Sequence, residues 1–248
     1  MKFTTVVAVD AKCIEQLEVS CPTWRMNKPD LWMNPLLVIF DRDEVDPTRM
    51  GWLEHPDVQF AAWPPPQDTF DTQREKMLSS FVHLPGDLVK TAWWRKVDTD
   101  AIATAPGEWI DESWFDGDDV FIGSRWGYTK PANQMAMLDL WAGNIPGLND
   151  HPPLDLEFDL DARCLRHRRL ASWISFYRTD WTREVARYAD FPNIPVPSQD
   201  GYHFYVAERR NDPYTLTSMK KRGWTNISRL SGLKKLAKEI LCADTCTP

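Results

Sequence analysis

The chain has 248 residues, with 29 Lys+Arg against 36 Asp+Glu, for a net charge of −7. Its 43% hydrophobic and 26% charged residues are the composition of a globular protein, which excludes disordered, collagen-like, coiled-coil and mini-protein classes. No apolar run approaches the ~18 residues of a membrane span, and the Phe3–Val9 run is too short and too Thr-rich for a signal segment.

Phe3–Val9 is a β-branched, apolar run of strand length that stops at Asp10. Ile14, Leu17 and Cys21 then recur at helical spacing, which predicts a helix over Ala11–Cys21 stopped by Pro22. Pro35–Asp41 and Val58–Trp63 read as two further buried strands, the first again ending in an acid. A helix is expected over Asp71–Leu84, broken by Pro85-Gly86. Trp93–Val97 is a fourth strand, and it runs directly into Asp98-Thr99-Asp100. Beyond it, a strand at Val120–Gly123, a turn at Tyr128–Asn133 and a helix at Gln134–Ala142 precede a Pro- and Asp-rich connection over 144–162. Leu170–Tyr177 reads as a strand, Asp180–Tyr188 as a helix, Phe191–Pro197 as a loop and Asp200–Arg210 as a helix. Lys220–Lys238 is a basic stretch that ends in an amphipathic helix. There is no internal repeat.

Continuous apolar strands alternating with amphipathic helices predict a mostly parallel sheet covered on both faces. Ligands of such sheets sit beyond the carboxyl ends of the strands. Asp10, Asp41 and Asp98 all stand there. One such acid could cap a helix; three at one edge, one of them in a pair, point to a site. Two carboxylates one residue apart at a strand end supply the hard oxygens that a divalent cation takes, and a nucleoside diphosphate needs such a cation.

Arg74-Glu-Lys-Met-Leu-Ser-Ser-Phe-Val-His-Leu, followed by Lys90-Thr-Ala-Trp-Trp-Arg-Lys-Val-Asp-Thr-Asp-Ala-Ile, resembles nucleotide-sugar glycosyltransferases of the GT-A fold, chiefly over the first 125 residues. The resemblance implies an α/β, Rossmann-like, mostly parallel central sheet with helices on both faces. It implies a D-x-D that binds a nucleoside-diphosphate sugar through Mn²⁺ or Mg²⁺. Asp98 and Asp100 would be the metal and nucleotide acids, Asp10 and Asp41 would lie near the nucleoside, and Arg74 would approach the sugar or its phosphates. Inverting members often open a late helix with an acidic pair. Here Ser198-Gln199-Asp200-Gly201 has Gln199 in the first place, and Asp200 would be the general base, kept ionised by the helix dipole. His203 would be a third metal ligand. The chain then divides into a donor-binding half (1–125), an acceptor-binding half (126–215) and a basic tail (216–248).

Competing readings are weaker in the residues. A nucleotidyltransferase carries a Gly-rich loop after its first strand, and here no glycine precedes Gly51. A G-x-G-x-x-G site, zinc spacing and a G-x-S-x-G elbow are missing from the sequence. Thirteen tryptophans would also suit a non-enzymatic sugar-binding module, although cores use tryptophan too. Five cysteines, an odd number without C-x-x-C spacing, read as reduced thiols of a cytoplasmic protein. Residues 1–162 carry 13 Lys+Arg and 28 Asp+Glu, whereas 163–248 carry 16 and 8. The basic end suggests an anionic acceptor: a phospho-glycan, a lipid-linked carrier at the inner face of a membrane, or nucleic acid. Leu230, Leu233, Leu236 and Ile240 would face that membrane, or pack back on the domain.

Overall fold

The computed structural model describes residues 2–63, 80–126, 157–159, 164–166, 169–189 and 199–243. Its centre is a seven-stranded sheet. The first four expected strands are present as β1 (Phe3–Val9), β2 (Leu36–Asp41), β3 (Val58–Trp63) and β4 (Trp93–Val97). They are followed by a short β5 (Ala101–Ala103), by β6 (Phe121–Trp126), and by a two-stranded pair, β7 (Glu157–Asp159) with β8 (Cys164–Arg166). The expected connection over 144–162 therefore contains a strand. Then come β9 (Arg169–Arg178), β10 (Tyr214–Thr217) and β11 (Trp224–Asn226). The sheet order is β10-β6-β9-β4-β1-β2-β3. All neighbours pair in parallel except at β9, which runs against both β4 and β6.

The sheet is flanked by the helices α1 (Cys13–Asn27), α2 (Leu84–Leu88), α3 (Thr179–Ala186), α4 (Gln199–Arg210) and α5 (Leu230–Ala243). α1 corrects the sequence reading, because it continues five residues past the exposed Pro22, to Asn27, instead of stopping there. A proline inside a helix costs about 3 kcal/mol. The segment beyond it offsets that cost by burying Trp24, which by itself contributes on the order of 2–3 kcal/mol. Two side-chain hydrogen bonds add to this, Trp24 Nε1 to the Ala101 carbonyl (2.6 Å) and Asn27 Nδ2 to the Ala103 carbonyl (2.9 Å). Pro85-Gly86 is a second correction. It lies in the first turn of α2, where the missing proline N–H has no partner to lose. The body of the helix expected over Asp71–Leu84, the turn at Tyr128–Asn133, the helix at Gln134–Ala142 and the loop at Phe191–Pro197 lie outside the described residues, as does Arg74.

Helices cover both faces of the sheet. On one, Ile14, Leu17, Cys21 and Trp24 of α1 pack on Val7, Val9, Val38, Val97 and Ile174. On the other, Trp181 and Val185 of α3 and Tyr202, Tyr205 and Val206 of α4 pack on Val6, Leu37, Ile39, Trp94 and Tyr177. Among the described residues eight tryptophans are buried in these layers, so packing accounts for most of the thirteen. β11 pairs antiparallel with β5, and the turn into it needs Gly223 (φ +79°). A Cβ there would meet the Ala105 carbonyl oxygen at 2.9 Å. Among the described residues no helix is long and apolar enough to cross a membrane.

Candidate active site

β2, β1 and β4 are adjacent and parallel, so the residues that follow them share one edge. Val9 is level with Phe40, which sets Asp10 beside Asp41 on strands ~4.8 Å apart. Val6 is level with Lys96, so Asp98 follows on the other side of β1, about one pleat lower. The fold thus gathers the three acids within two strand spacings.

Their local work differs. Asp10 accepts the N–H groups of Lys12 (2.9 Å) and Cys13 (2.7 Å) and so starts α1. Asp41 is fully buried, and its Oδ1 accepts the Asp43 N–H (3.0 Å), closing the turn after β2. Burial, then the Asp10 carboxylate, push the Cys13 thiol up to about 12. Cys13 is therefore a neutral thiol at physiological pH. Iodoacetamide at pH 7.5 is expected to label the exposed Cys242 rapidly and Cys13 only on unfolding, read by peptide mass spectrometry. Equal labelling in the folded chain would show that the Asp10–Cys13 contact is open.

Asp98-Thr99-Asp100 is held from several sides. The Asp98 N–H donates to the Trp173 carbonyl of β9 (2.8 Å). Thr99 turns inward: its hydroxyl donates to Gln16 Oε1 (2.9 Å), and its carbonyl accepts the Ser20 hydroxyl (2.7 Å), both from α1. The Asp100 carboxylate accepts Asn226 Nδ2 (3.1 Å), and its carbonyl accepts the Ile227 N–H (3.0 Å). With Thr99 pinned inward, the two aspartates flanking it are half-exposed. Lys96, two residues earlier on the same side of β4, places its Nζ 2.6 Å from Asp98 Oδ1. Nothing in the sequence pattern singled out Lys96, Gln16, Ser20 or Asn226, because each acts through a partner 2 to 126 residues away.

Two half-exposed carboxylates are suitable oxygen donors for Mg²⁺ or Mn²⁺. Among the described residues no group of three His, Cys, Asp or Glu side chains is gathered to hold a metal. A cation here would complete its shell from phosphate and water, the usual habit of Mg²⁺ with nucleotides. The residues fit such an ion.

His203 lies in the interior, 0% exposed, with its ring 4.7 Å from that of Tyr177 and 5.5 Å from that of Trp181. Burial, then the charge of Lys96, lower its pKa to about 3. Below the ordinary value near 6.5 the unfolded chain binds a proton that the folded chain refuses until about 3. Stability therefore falls as pH drops through that window. The expected loss between pH 7 and pH 5 is about 2 kcal/mol from this group alone, and His203→Gln should remove it from urea-melt midpoints. An unchanged pH dependence would place the imidazole in a polar setting. Asp200 stands one turn earlier, in the first turn of α4. α4 leads into β10, which starts at the amino edge beside Phe121, so α4 itself begins toward the carboxyl edge that carries Asp98.

The basic end folds onto the acidic body. Lys234 pairs with Glu15, and Arg222 stacks on Trp114 (4.2 Å) with Asp111 at 3.9 Å. Leu233 and Ala237 of α5 are buried on Ile102, with Val19, Leu236 and Ile240 beside them. The apolar stripe considered for a membrane is thus packed on the domain. A groove of about 970 Å³ lined by Phe3, Asn34, Asp30 and Trp109 opens at the opposite, amino-terminal edge of the sheet.

In sequence, no family model and no curated protein matches the chain. In structure it is similar to the galactosyltransferase LgtC in complex with donor and acceptor sugar analogs, with a TM-score of 0.53 and 10% identity over 99% of this chain and 98% of that one. It is similar to core-mannan synthase A (Ktr4) of Aspergillus fumigatus in its Mn/GDP form, with a TM-score of 0.59 and 9% identity over 92% and 75%. It is also similar to a 4-diphosphocytidyl-2C-methyl-D-erythritol synthase of Anaerococcus prevotii, with a TM-score of 0.53 and 9% identity over 97% and 99%. What is shared at such identities is architecture: the chain has a GT-A-type, Rossmann-like α/β fold built on a mostly parallel central sheet.

Proposed function

We propose that the chain is a metal-dependent glycosyltransferase that moves a sugar from a nucleoside-diphosphate sugar to an acceptor hydroxyl. The observation that carries this is Asp98-Thr99-Asp100, half-exposed at the carboxyl end of a central strand and pinned through Thr99, in a fold similar to those of two sugar transferases. Mn²⁺ or Mg²⁺ bound there supplies charge neutralisation for the departing diphosphate. Asp98 and Asp100 hold the diphosphate end of the donor. Asp10 and Asp41 shape the nucleoside side of the same edge, and Arg74 approaches the sugar or the phosphates. Asp200 accepts the proton of the acceptor hydroxyl as the new C1–O bond forms and the C1–O bond to phosphate breaks. Asp200→Asn should then lower kcat by upward of about 10²-fold, with inversion at C1 seen by NMR. Retention would remove Asp200 from this role and leave the donor side standing.

One observation favours a second reading. The cytidylyl-type synthase covers the chain as fully as LgtC does, so a nucleotidyltransferase shares the architecture. A panel of nucleotide sugars with Mn²⁺, read as nucleoside diphosphate release, tests the first reading. Nucleoside triphosphates with sugar phosphates, read as pyrophosphate release, test the second. Pyrophosphate without diphosphate release would overturn the glycosyltransferase.

A further inference from the structure

Two adjacent basic residues in the middle of a central strand are unusual, because lysine and arginine are rarely buried unless paired. Arg95 faces the α1 side and pairs with Asp30. Lys96 faces the α4 side, is 5% exposed, and lies 4.7 Å over the Phe81 ring with its ammonium against Asp98 Oδ1. The Lys96 ammonium therefore sits against the Asp98 end of the acidic pair. We propose that Lys96 makes Asp98-Thr99-Asp100 a site of net charge −1 that takes a divalent cation together with a diphosphate and holds the bare cation only weakly.

This rests on the donor-site reading above. One oxygen of Asp98 is already engaged by the ammonium, and that ammonium repels an incoming cation at a distance of a few ångströms. The two phosphates of a nucleotide bring both the missing oxygens and the missing negative charge. Lys96 is thus a positioning residue, setting the charge and orientation of Asp98.

The test is Mn²⁺ binding followed by the EPR signal of free Mn²⁺ at low ionic strength, without nucleotide, on the wild-type chain, Lys96→Met and Lys96→Arg. Lys96→Met is expected to bind Mn²⁺ on the order of tenfold more tightly than wild type, since a unit charge near a divalent ion acts at that scale even in a water-like dielectric. Lys96→Arg is expected to stay near wild type. A folded Lys96→Met chain that binds Mn²⁺ equally or more weakly overturns the inference and leaves the donor-site reading intact. If no chain takes up Mn²⁺ even with a nucleoside diphosphate, the cation reading falls and this inference falls with it. Should Lys96→Met fail to fold, ¹⁵N-lysine NMR of the wild type decides. A slowly exchanging ammonium, lost in Lys96→Arg and broadened by Mn²⁺ with GDP, supports the pair. Its absence overturns it.

Discussion

Transfer by an Asp98→Ala or Asp100→Ala chain is expected to fall by at least about 10²–10³-fold, the scale for removing one group that meets developing charge. EDTA should reproduce the loss in the wild-type chain. Asp98→Ala takes the carboxylate from the buried Lys96 and Asp100→Ala removes the acceptor of Asn226, so each lowers stability, but Thr99 still fixes the turn to Gln16 and Ser20 and both chains should fold. Near-UV circular dichroism should be unchanged while diphosphate release disappears. Full activity in EDTA, with both variants active, would separate the motif from the chemistry.

The largest stability effect is expected from the other buried cation of β4. The Arg95 guanidinium is wholly buried, bound to the Asp30 carboxylate and donating from Nε to the Thr5 hydroxyl (2.9 Å). Asp30 also accepts Trp109 Nε1 (2.8 Å). Removing one partner of such a pair leaves a charge in the interior without its counter-ion, which costs about 3–5 kcal/mol. Asp30→Ala should sit near the lower end, about 3 kcal/mol, because its carboxylate keeps 30% of its exposure. Arg95→Met should cost clearly less, since the stem is replaced by apolar volume and the remaining Asp30 can hydrate. Chemical denaturation of both variants gives the comparison. A larger loss in Arg95→Met would mean that the guanidinium acts more through its cation–π contacts over Phe3 and Trp109 than through the Asp30 pair.

The central half of the fold was legible because β1 to β4 are continuous β-branched or aromatic runs, each punctuated by an acid or a proline. The same rule failed for β5, β7, β8 and β11, three-residue strands whose existence depends on a partner elsewhere in the chain. Pro22 misled for a related reason. Local propensity ends the helix there, while Trp24 and Asn27 are fastened to β5 almost eighty residues later. At the site, the positions of Asp10, Asp41, Asp98 and Asp100 followed from counting strands. What Asp10 and Asp41 hold locally did not, since a capping acid and a ligand-facing acid look alike as text. Lys96 was invisible: within a hydrophobic strand it reads as an interruption, and its meaning comes from the side of the pleat it shares with Asp98.

The bonds from Asn226 and Ile227 to Asp100 have a bearing on biosynthesis. A chain growing from its N-terminus has made β1, β2, β3 and β4 long before β11 emerges, so four parallel strands of the sheet are available early. The Asp100 end of the motif is not fastened until more than a hundred further residues have been added, and contacts of such long sequence separation close late. A nascent chain at that stage would carry the acidic edge without its final brace. Donor binding would then report completion of synthesis through residue 227, not merely collapse of the first hundred residues.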